Sequence, residues 1–357
     1  MKILILALSG IGDALMFTPA LQLLRAKFPE AEIDAMVMYK GVKEIYERTN
    51  LLNTIYHFDF LKASKLSSLK FVLKFRGKYD ASINVYPSNR KEYNFINFLV
   101  GAKKRGAIRY LRSDFSNLGF LNTHRVLEND SLHNVEENIL LCENLFEVKF
   151  TEKPPLSFPL THEDELFKEK YLIELGIDAS DFVVGFHPGC STLKNHTKRR
   201  WEPEKFSSLG KLLIEKKNAK ILIFGGPEER ELQKSVAENF ESDRVFVIKT
   251  HSLSQTAAIT KRCNAFVTND SSLMHVASAM QLKVVAVIGP TNTNYISPWK
   301  TAHRIASLNL DCAPCFFYSP KPLTCKRSDV QFKCIKELNE EKVFSVLEDL
   351  LKDYSRR

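Results

Sequence analysis

The sequence predicts an α/β protein with two Rossmann-like domains, whose parallel sheets face each other across a central cleft. The chain has 357 residues, which is enough for two domains of ordinary size. In both halves, short apolar runs alternate with polar turns and helical patterns, as is typical of parallel sheets. Three prolines between positions 154 and 159 separate the halves, and the domain boundary is therefore predicted there.

The chain opens with an apolar run, 3–8, which ends in the turn Ser9-Gly10-Ile11-Gly12-Asp13 and continues into a helical pattern. This order predicts a buried strand, a glycine turn and a helix. Gly10 and Gly12 permit positive φ and the close approach of another molecule to the backbone. Asp13 then lies at the carboxyl end of the strand, where parallel sheets bind ligands.

Three other interpretations of this opening segment fit less well. A membrane-spanning helix has the right length, but two glycines, Pro19 and the carboxylate of Asp13 oppose it. A signal peptide needs a small-residue cleavage site, which the turn does not offer. A dinucleotide fingerprint needs a third glycine where Leu15 stands, so NAD binding has weak support.

The composition is that of a globular, basic chain. Hydrophobic residues make up 44% and charged residues 26%, which excludes a disordered protein. The net charge of +9 favours an anionic partner: a nucleotide, a nucleic acid, a phosphorylated glycolipid or the inner leaflet of a membrane. Seven cysteines without a secretion signal predict reduced thiols in a cytoplasmic protein.

The rest of the N-terminal half predicts three strands and two basic segments. The strands are expected at 32–38, 53–58 and 81–86. Lysines and apolar side chains alternate over 62–78, which predicts an amphipathic helix whose basic side faces solvent or phosphate. The basic stretch 101–125, with interleaved aromatics, is predicted to be a loop. It suits a phosphorylated or lipid-linked acceptor near a membrane, a nucleic acid, or solvent alone.

The C-terminal half repeats the same pattern. Five strands are expected, at 182–186, 220–224, 244–248, 265–268 and 283–288. A terminal amphipathic helix is expected over 339–354.

A polar motif follows the fourth of these strands. Asn269-Asp270-Ser271-Ser272 begins a helix, and the first amides of that helix with two hydroxyls form a cradle for a pyrophosphate. His275 falls on the same side one turn later. Asp270 is better suited to sugar hydroxyls or to capping the helix than to a phosphate. An ordinary helix cap with a packed histidine is the alternative.

Six motifs occur in order across most of the chain: Ser9-Gly10-Ile11-Gly12-Asp13 with Thr18-Pro19-Ala20-Leu21, His133-x-Val135-Glu136-x-Asn138, His187-Pro188-Gly189, Lys198-Arg199-Arg200-Trp201, Phe224-Gly225-Gly226-Pro227-Glu228 and Asp270-Ser271-Ser272-Leu273-Met274-His275. Together they resemble glycosyltransferase family 9, the ADP-heptose:lipopolysaccharide heptosyltransferases.

The resemblance implies a GT-B fold. It implies an acceptor-binding domain, 1–155, a nucleotide-sugar-binding domain, 156–335, and a final helical segment, 336–357, that packs back across both. It implies inverting transfer of heptose from ADP-heptose to the inner core on lipid A, an anionic glycolipid. The enzyme is then expected to be cytoplasmic, peripheral on the inner face of the inner membrane and independent of any cofactor. Asp13 matches the general base of the family.

The same likeness assigns residues to the diphosphate, heptose and ribose of the donor. They are Ser191, Thr192, Lys198, Arg199, Glu228, Asp270, Ser271, Ser272 and His275. Ser9, Gly10 and Gly12 are expected to form a loop against phosphate or acceptor.

Four cysteines near the C-terminus form a separate cluster in the sequence. They are Cys312, Cys315, Cys325 and Cys334. Such a set is able to bind a structural zinc, but only one half has the usual paired spacing, so no metal is expected and buried thiols are favoured.

Two rival functions remain open. One keeps the fold and uses another nucleotide sugar or another surface-glycan acceptor. The other, a basic zinc-stabilised nucleic-acid-binding protein, rests on the charge and the cysteines and leaves the motifs at Asp13 and Asp270 unexplained. A nucleic-acid partner is therefore not expected.

Overall fold

The structure, a computed structural model, describes residues 1–317 and 322–355. The chain divides into two compact units. The first is Met1–Pro159, and the second comprises Leu160–Phe317 with the described residues that follow. The transition falls at the end of the proline-rich segment.

The first unit is built on a parallel sheet of six strands. They are β1 (Lys2–Ala7), β2 (Glu32–Val37), β3 (Ile55–His57), β4 (Ala81–Asn84), β5 (Lys104–Arg109) and β6 (His124–Leu127). Their order is β3-β2-β1-β4-β5-β6, and every pair is parallel. The strand order reverses between β1 and β4. Their carboxyl ends therefore border the crevice that such a sheet offers to ligands.

Five α-helices accompany this sheet. They are α1 (Ile11–Lys27), α2 (Lys40–Thr49), α3 (Lys65–Leu73), α4 (Lys91–Val100) and α5 (Asn134–Phe146). Helix α1 packs against α5, and α3 packs against α4. The central strand β1 is apolar and buried from Ile3 onwards, which anchors the turn that follows it.

The second unit repeats this architecture with six further strands. They are β7 (Val183–His187), β8 (Lys220–Ile223), β9 (Val245–Val247), β10 (Ala265–Asn269), β11 (Val284–Val287) and β12 (His303–Ala306). The order is β12-β11-β10-β7-β8-β9, again with parallel pairs throughout. Here the order reverses between β7 and β10. The predicted α/β class with two parallel sheets is confirmed.

The helices of the second unit complete the fold. They are α6 (His162–Glu174), α7 (Pro203–Lys217), α8 (Arg230–Ala237), α9 (Leu253–Thr260), α10 (Ser272–Ala279), α11 (Thr293–Ile296), α12 (Lys333–Lys336) and α13 (Glu340–Ser355). Helix α13 packs on α7, β11 and β12. Its predicted packing across both domains stays a prediction.

The stretch 101–125 differs from its prediction as a loop, because it contains β5 and the start of β6. Gly106, Ala107 and Ile108 form a short buried centre between charged ends. The two cations at its first end are bound within the unit: Lys104 Nζ lies 2.9 Å from Glu147 Oε1, and Arg105 Nε donates to the carbonyl of Leu121 at 3.1 Å. The loop prediction was wrong because the apolar centre is too short to stand out between these charges.

Candidate functional site

In the second unit, polar side chains gather where β7 and β10 end. His187 is the last residue of β7 and Asn269 the last of β10, and the two strands are neighbours. Asn269 holds the following chain in place: its Nδ2 donates to the carbonyl of Pro188 at 2.7 Å, and its Oδ1 accepts from the N–H of Trp201 at 2.9 Å. Both strand ends therefore open onto one crevice, at the point where the sheet order reverses.

His187 links two elements of this crevice. Its Nδ1 lies 2.8 Å from Ser271 Oγ, and its Nε2 lies 3.0 Å from Glu229 Oε2. Burial raises the pKa of Glu229, but the hydrogen bond and charge of His187 and the N–H of Gly226 outweigh burial and leave that pKa below its ordinary value. An ionised Glu229 requires the proton on Nε2, so in the neutral ring Nδ1 accepts from Ser271.

This hydrogen bond affects the start of α10. Ser271 is the N-cap residue, yet its side chain makes no capping hydrogen bond, because its hydroxyl lies against His187 and Thr268. The side chain of Ser271 therefore does not compete for the first amide N–H groups of α10. These amides carry the positive end of the helix dipole and favour an anion.

A cationic cluster is built around Arg199 and Asp270. Arg199 Nη1 lies 2.8 Å from Asp270 Oδ2, which also accepts from Thr291 Oγ1 at 2.8 Å. The guanidinium lies 5.7 Å from the ring centre of Phe316, and both charged side chains are largely buried. The Nε of Arg199 is buried without a hydrogen-bond partner among the described residues. Asp270 thus orients an arginine that retains a donor for an anion.

The remaining donor-site predictions are placed as follows. The structure joins Arg199, Asp270 and Ser271 to the cluster, and it buries His275 within α10. Ser272 is half-buried at the first position of α10. The other predicted donor residues are exposed in this structure: Ser191, Thr192, Lys198 and Glu228.

Sequence reasoning missed three residues of this cluster as site residues. They are His187, Glu229 and Thr291. Glu229, rather than Glu228, contacts His187. Its position three residues after Gly226 was a signal in the sequence that could have identified it. Gly226 is the N-cap of a 3₁₀ turn, Pro227–Glu229, whose third residue returns its carboxylate to the N–H of Gly226 at 3.0 Å.

In the first unit, the predicted turn joins the ends of β1 and β4. Ser9 Oγ donates to the carbonyl of Pro87 at 2.5 Å, and Asp13 Oδ2 accepts from the N–H of Gly10 at 3.0 Å. Asp13 is half-buried in the first turn of α1. The turn does not use positive φ: Gly10 has φ −72°, and Gly12 is helical. That part of the prediction was wrong, because the chain enters α1 directly from extended backbone.

Four tyrosines lie close enough to Asp13 to sense its charge. They are Tyr39, Tyr46, Tyr93 and Tyr110. Burial is the main cause that raises their pKa values, and the negative charge of Asp13 adds to it. The phenols are therefore neutral hydroxyl groups around one carboxylate. Two of these hydroxyls are held within the unit, since Tyr93 donates to the carbonyl of Leu8 at 2.9 Å and Tyr110 accepts from the N–H of Ser88 at 2.5 Å.

The cysteine cluster forms no metal centre in the part of the chain that the structure describes, where no group of three or more His, Cys, Asp or Glu side chains is placed to hold an ion. All seven cysteines are free thiols. The prediction of buried thiols was wrong for Cys312 and Cys315, which are exposed because they lie outside the helices and strands. Burial, followed by the charges of neighbouring cysteines, raises the pKa of Cys334 to about 11.

Within residues 1–317 and 322–355, no helix is long and apolar enough to cross a membrane.

These two units, each with a polar crevice at its sheet reversal, define a two-domain α/β protein of the nucleotide-binding type. The chain belongs to glycosyltransferase family 9 (heptosyltransferase), whose model matches residues 69–323, more than half of the chain. It is a glycosyltransferase, as the six motifs predicted.

Known relatives extend this result over the full length. The lipooligosaccharide heptosyltransferase 2 of Campylobacter jejuni subsp. jejuni serotype O:2 is 27% identical over 366 residues, covering 99% of each chain. The solved family 9 glycosyltransferase of Veillonella parvula has a TM-score of 0.80 at 22% identity, covering 99% of this chain and 97% of that one. The E. coli ADP-heptose lipopolysaccharide heptosyltransferase II has a TM-score of 0.74 at 19% identity, covering 99% and 100%. These structural likenesses confirm the fold.

Proposed function

We propose that this glycosyltransferase moves heptose from ADP-heptose to the inner core of a lipid A-linked lipopolysaccharide acceptor, with inversion at the anomeric carbon. The names of its relatives support heptosyl transfer, and the E. coli structure is named for ADP-heptose. One observation in this chain carries the donor assignment: the start of α10, uncapped by Ser271, lies beside the Arg199–Asp270 pair.

In this proposal the second unit binds the nucleotide sugar. The diphosphate accepts hydrogen bonds from the first amides of α10, and the Arg199 guanidinium offsets the charge that builds on departing ADP. Asp270 holds Arg199 and leaves its second oxygen for a heptose hydroxyl. Lys198 and the hydroxyls of Ser191, Thr192 and Ser272 complete the donor contacts, with His275 within α10 and Glu228 at the ribose.

The first unit supplies the base. Asp13 removes the proton from the acceptor hydroxyl while that oxygen bonds to the anomeric carbon and the bond to the ADP oxygen breaks. Its hydrogen bond from Gly10 supports this role, because the bond fixes the carboxylate in the first turn of α1, beyond the carboxyl end of β1.

The acceptor sets the place of action. A lipid-linked inner core is presented at the cytoplasmic face of the inner membrane, so we expect a peripheral enzyme there. The net charge of +9 supports attraction to this anionic glycolipid and to anionic headgroups. No cofactor takes part in the proposed step.

Donor discrimination tests this proposal against the same fold with another sugar. ADP-heptose, UDP-glucose and GDP-mannose are each offered with truncated lipid A–core acceptors, and nucleotide release is measured. We expect turnover with ADP-heptose, and tighter binding of ADP than of UDP or GDP by calorimetry. Turnover with a UDP- or GDP-sugar alone would contradict the heptose donor and support the alternative.

The Arg199→Gln variant makes this test specific to the site. We expect it to weaken ADP binding about 10- to 100-fold, because it removes a charge-assisted partner of the diphosphate. Arg244→Gln is the matched control, since its guanidinium donates to the carbonyl of Asn218 near the amino ends of β8 and β9. Equal losses in the two variants would contradict a specific role for Arg199.

A further inference from the structure

Helix α3 exposes a stripe of leucines. Leu66, Leu69 and Leu73 lie at the spacing i, i+3 and i+7, which places them on one face of the helix. Their exposed fractions are 62%, 39% and 42%. An exposed leucine alone needs no explanation, but three in a row on one helix face form a continuous apolar strip.

The opposite face of α3 already supplies the packing that the fold needs. Val72 and Phe75 are buried in the core of the first unit, and Phe71 stacks on Phe58 with ring centres 4.2 Å apart. Helix α3 is therefore apolar on two sides, one towards the sheet and one outward. None of the three leucines belongs to the buried core of the first unit.

Lysines border this stripe, and no acidic residue accompanies them. Residues 60–79 contain five lysines, one arginine and no aspartate or glutamate. Lys65, Lys70 and Lys74 are exposed and form no ion pair with any described residue. Long lysine side chains beside an apolar strip are typical of helices that lie in the headgroup region of a bilayer.

Helix α4, the neighbour of α3, also exposes large apolar side chains. It packs against α3 and against the 3₁₀ turn at Gly119–Leu121, and it exposes Phe95 and Phe98 one turn apart. We call the set formed by these two phenylalanines, the three leucines and the three lysines the α3–α4 surface.

We propose that the α3–α4 surface binds the anionic lipid surface of a membrane. Lysines match phosphate headgroups, while leucines and phenylalanines enter the boundary between headgroups and acyl chains. A second copy of the chain is a poor occupant, since two such basic surfaces repel each other. This inference names the membrane-facing partner of the proposed function, but it rests on the surface itself and does not depend on which sugar is transferred.

Vesicle binding tests the proposal without any catalytic step. The full chain is sedimented with vesicles of phosphatidylethanolamine and phosphatidylglycerol, and with vesicles of phosphatidylcholine alone. We expect binding to the anionic vesicles that weakens as salt rises, and little binding to phosphatidylcholine. Failure of the parent to bind anionic vesicles, or equal binding to both kinds, would overturn the proposal.

Two sets of variants separate the lysines from the leucines. Lys65→Gln with Lys70→Gln and Lys74→Gln is expected to lower anionic-vesicle binding at least about tenfold. Leu66→Ser with Leu69→Ser and Leu73→Ser is expected to do the same, because it removes the inserted apolar area. All six side chains are exposed, so both variants are expected to retain the circular dichroism of the parent.

Helix α6 provides the matched control. It exposes Leu166 and Ile173 at 51% and 76%, and acidic residues predominate along it. Leu166→Ser with Ile173→Ser is expected to leave vesicle binding unchanged, and an equal loss there would overturn the assignment to α3–α4. Vesicle binding without any glycosyl transfer would count against the proposed function alone. Binding that survives both α3 variants while transfer proceeds would count against this surface alone, and would direct the search to a protein partner for α3–α4.

Discussion

The surroundings of two adjacent carboxylates in α5 shift their pKa values in opposite directions. Burial raises the pKa of Glu137 to about 7, and the charges of Glu128, Asp130 and Glu136 add to it. Its Oε2 is buried without a partner, while Oε1 accepts from the N–H of Asn129. Burial also acts on Glu136, but the hydrogen bond from Lys153 and the N–H of His133 outweigh it and lower that pKa.

Glu137→Gln is expected to stabilise the protein near neutral pH. A carboxyl whose pKa rises on folding from 4.5 to about 7 binds more protons in the native state over that window. The contribution of Glu137 to the free energy of unfolding is therefore complete below pH 4.5. It falls as pH rises towards 7, by up to about 3 kcal/mol. Denaturant unfolding across this range should show the fall in the parent and a flatter profile in the variant.

Glu136→Gln is the control, with the opposite sign. Its lowered pKa means that the carboxylate contributes stability above its unfolded pKa and loses that contribution as pH falls. We expect this variant to be less stable than the parent at neutral pH. If Glu137→Gln also lost stability there, a buried protonated Glu137 would be contradicted.

The residue scale also shows where sequence reasoning stops. The motif reading identified Arg199, Asp270 and Ser271, which meet in one cluster. It assigned Glu228 to the ribose of the donor, which stays a prediction, and it did not identify Glu229, because motif likeness does not tell which of two adjacent carboxylates points inward. That choice depends on a hydrogen bond to His187, 42 positions earlier in the chain.

At the scale of elements, the turn after β7 depends on a glycine. A Cβ at Gly189 would lie 1.8 Å from Glu229 Oε1, whereas a Cβ at Gly226 would meet nothing within 4 Å. Neither glycine has a positive φ. The requirement at Gly189 is therefore space for the carboxylate that holds His187.

Gly189→Ala is expected to displace Glu229 from His187. We expect a loss of about 1–3 kcal/mol in the free energy of unfolding, since a charge-assisted hydrogen bond breaks in a buried site. ADP binding should weaken as well, because His187 also holds the hydroxyl of Ser271. Gly226→Ala, which keeps the N–H that Glu229 accepts, should unfold within about 0.5 kcal/mol of the parent. Matching losses in the two variants would contradict this account.

Element prediction succeeded where apolar runs were long and failed where they were short. The strand at β1 and the helix that follows were evident because an unbroken apolar run, 3–8, precedes the turn. Strand β5 was missed because charges flank its buried centre. The basic helix α3 was predicted, but only the structure shows that Val72 is buried in the core while the leucines of α3 remain exposed.

At the scale of the whole molecule, the alternation of strands and helices was enough to predict two parallel sheets. The site was predicted less completely from the sequence. Parallel sheets bring together residues from many turns, and which of these residues contact each other depends on the tertiary structure. Asp13 and Asp270 were found because each lies near the junction of a strand and the helix that follows it, whereas Thr291 joins Asp270 across 21 positions of sequence. Family likeness supplied the chemistry that neither spacing nor periodicity contained.

The most direct test of the account is turnover by Asp13→Asn, measured with ADP-heptose and a truncated lipid A–core acceptor. The variant keeps an oxygen for the N–H of Gly10, so the start of α1 should persist while the base is lost. Asp164→Asn is the matched control, because Asp164 makes the same contact with the N–H of Thr161 at the start of α6. We predict a fall in kcat of about 10²–10⁴-fold for Asp13→Asn and parental turnover for Asp164→Asn. Parental turnover by a folded Asp13→Asn enzyme would contradict the assignment of Asp13 as the base.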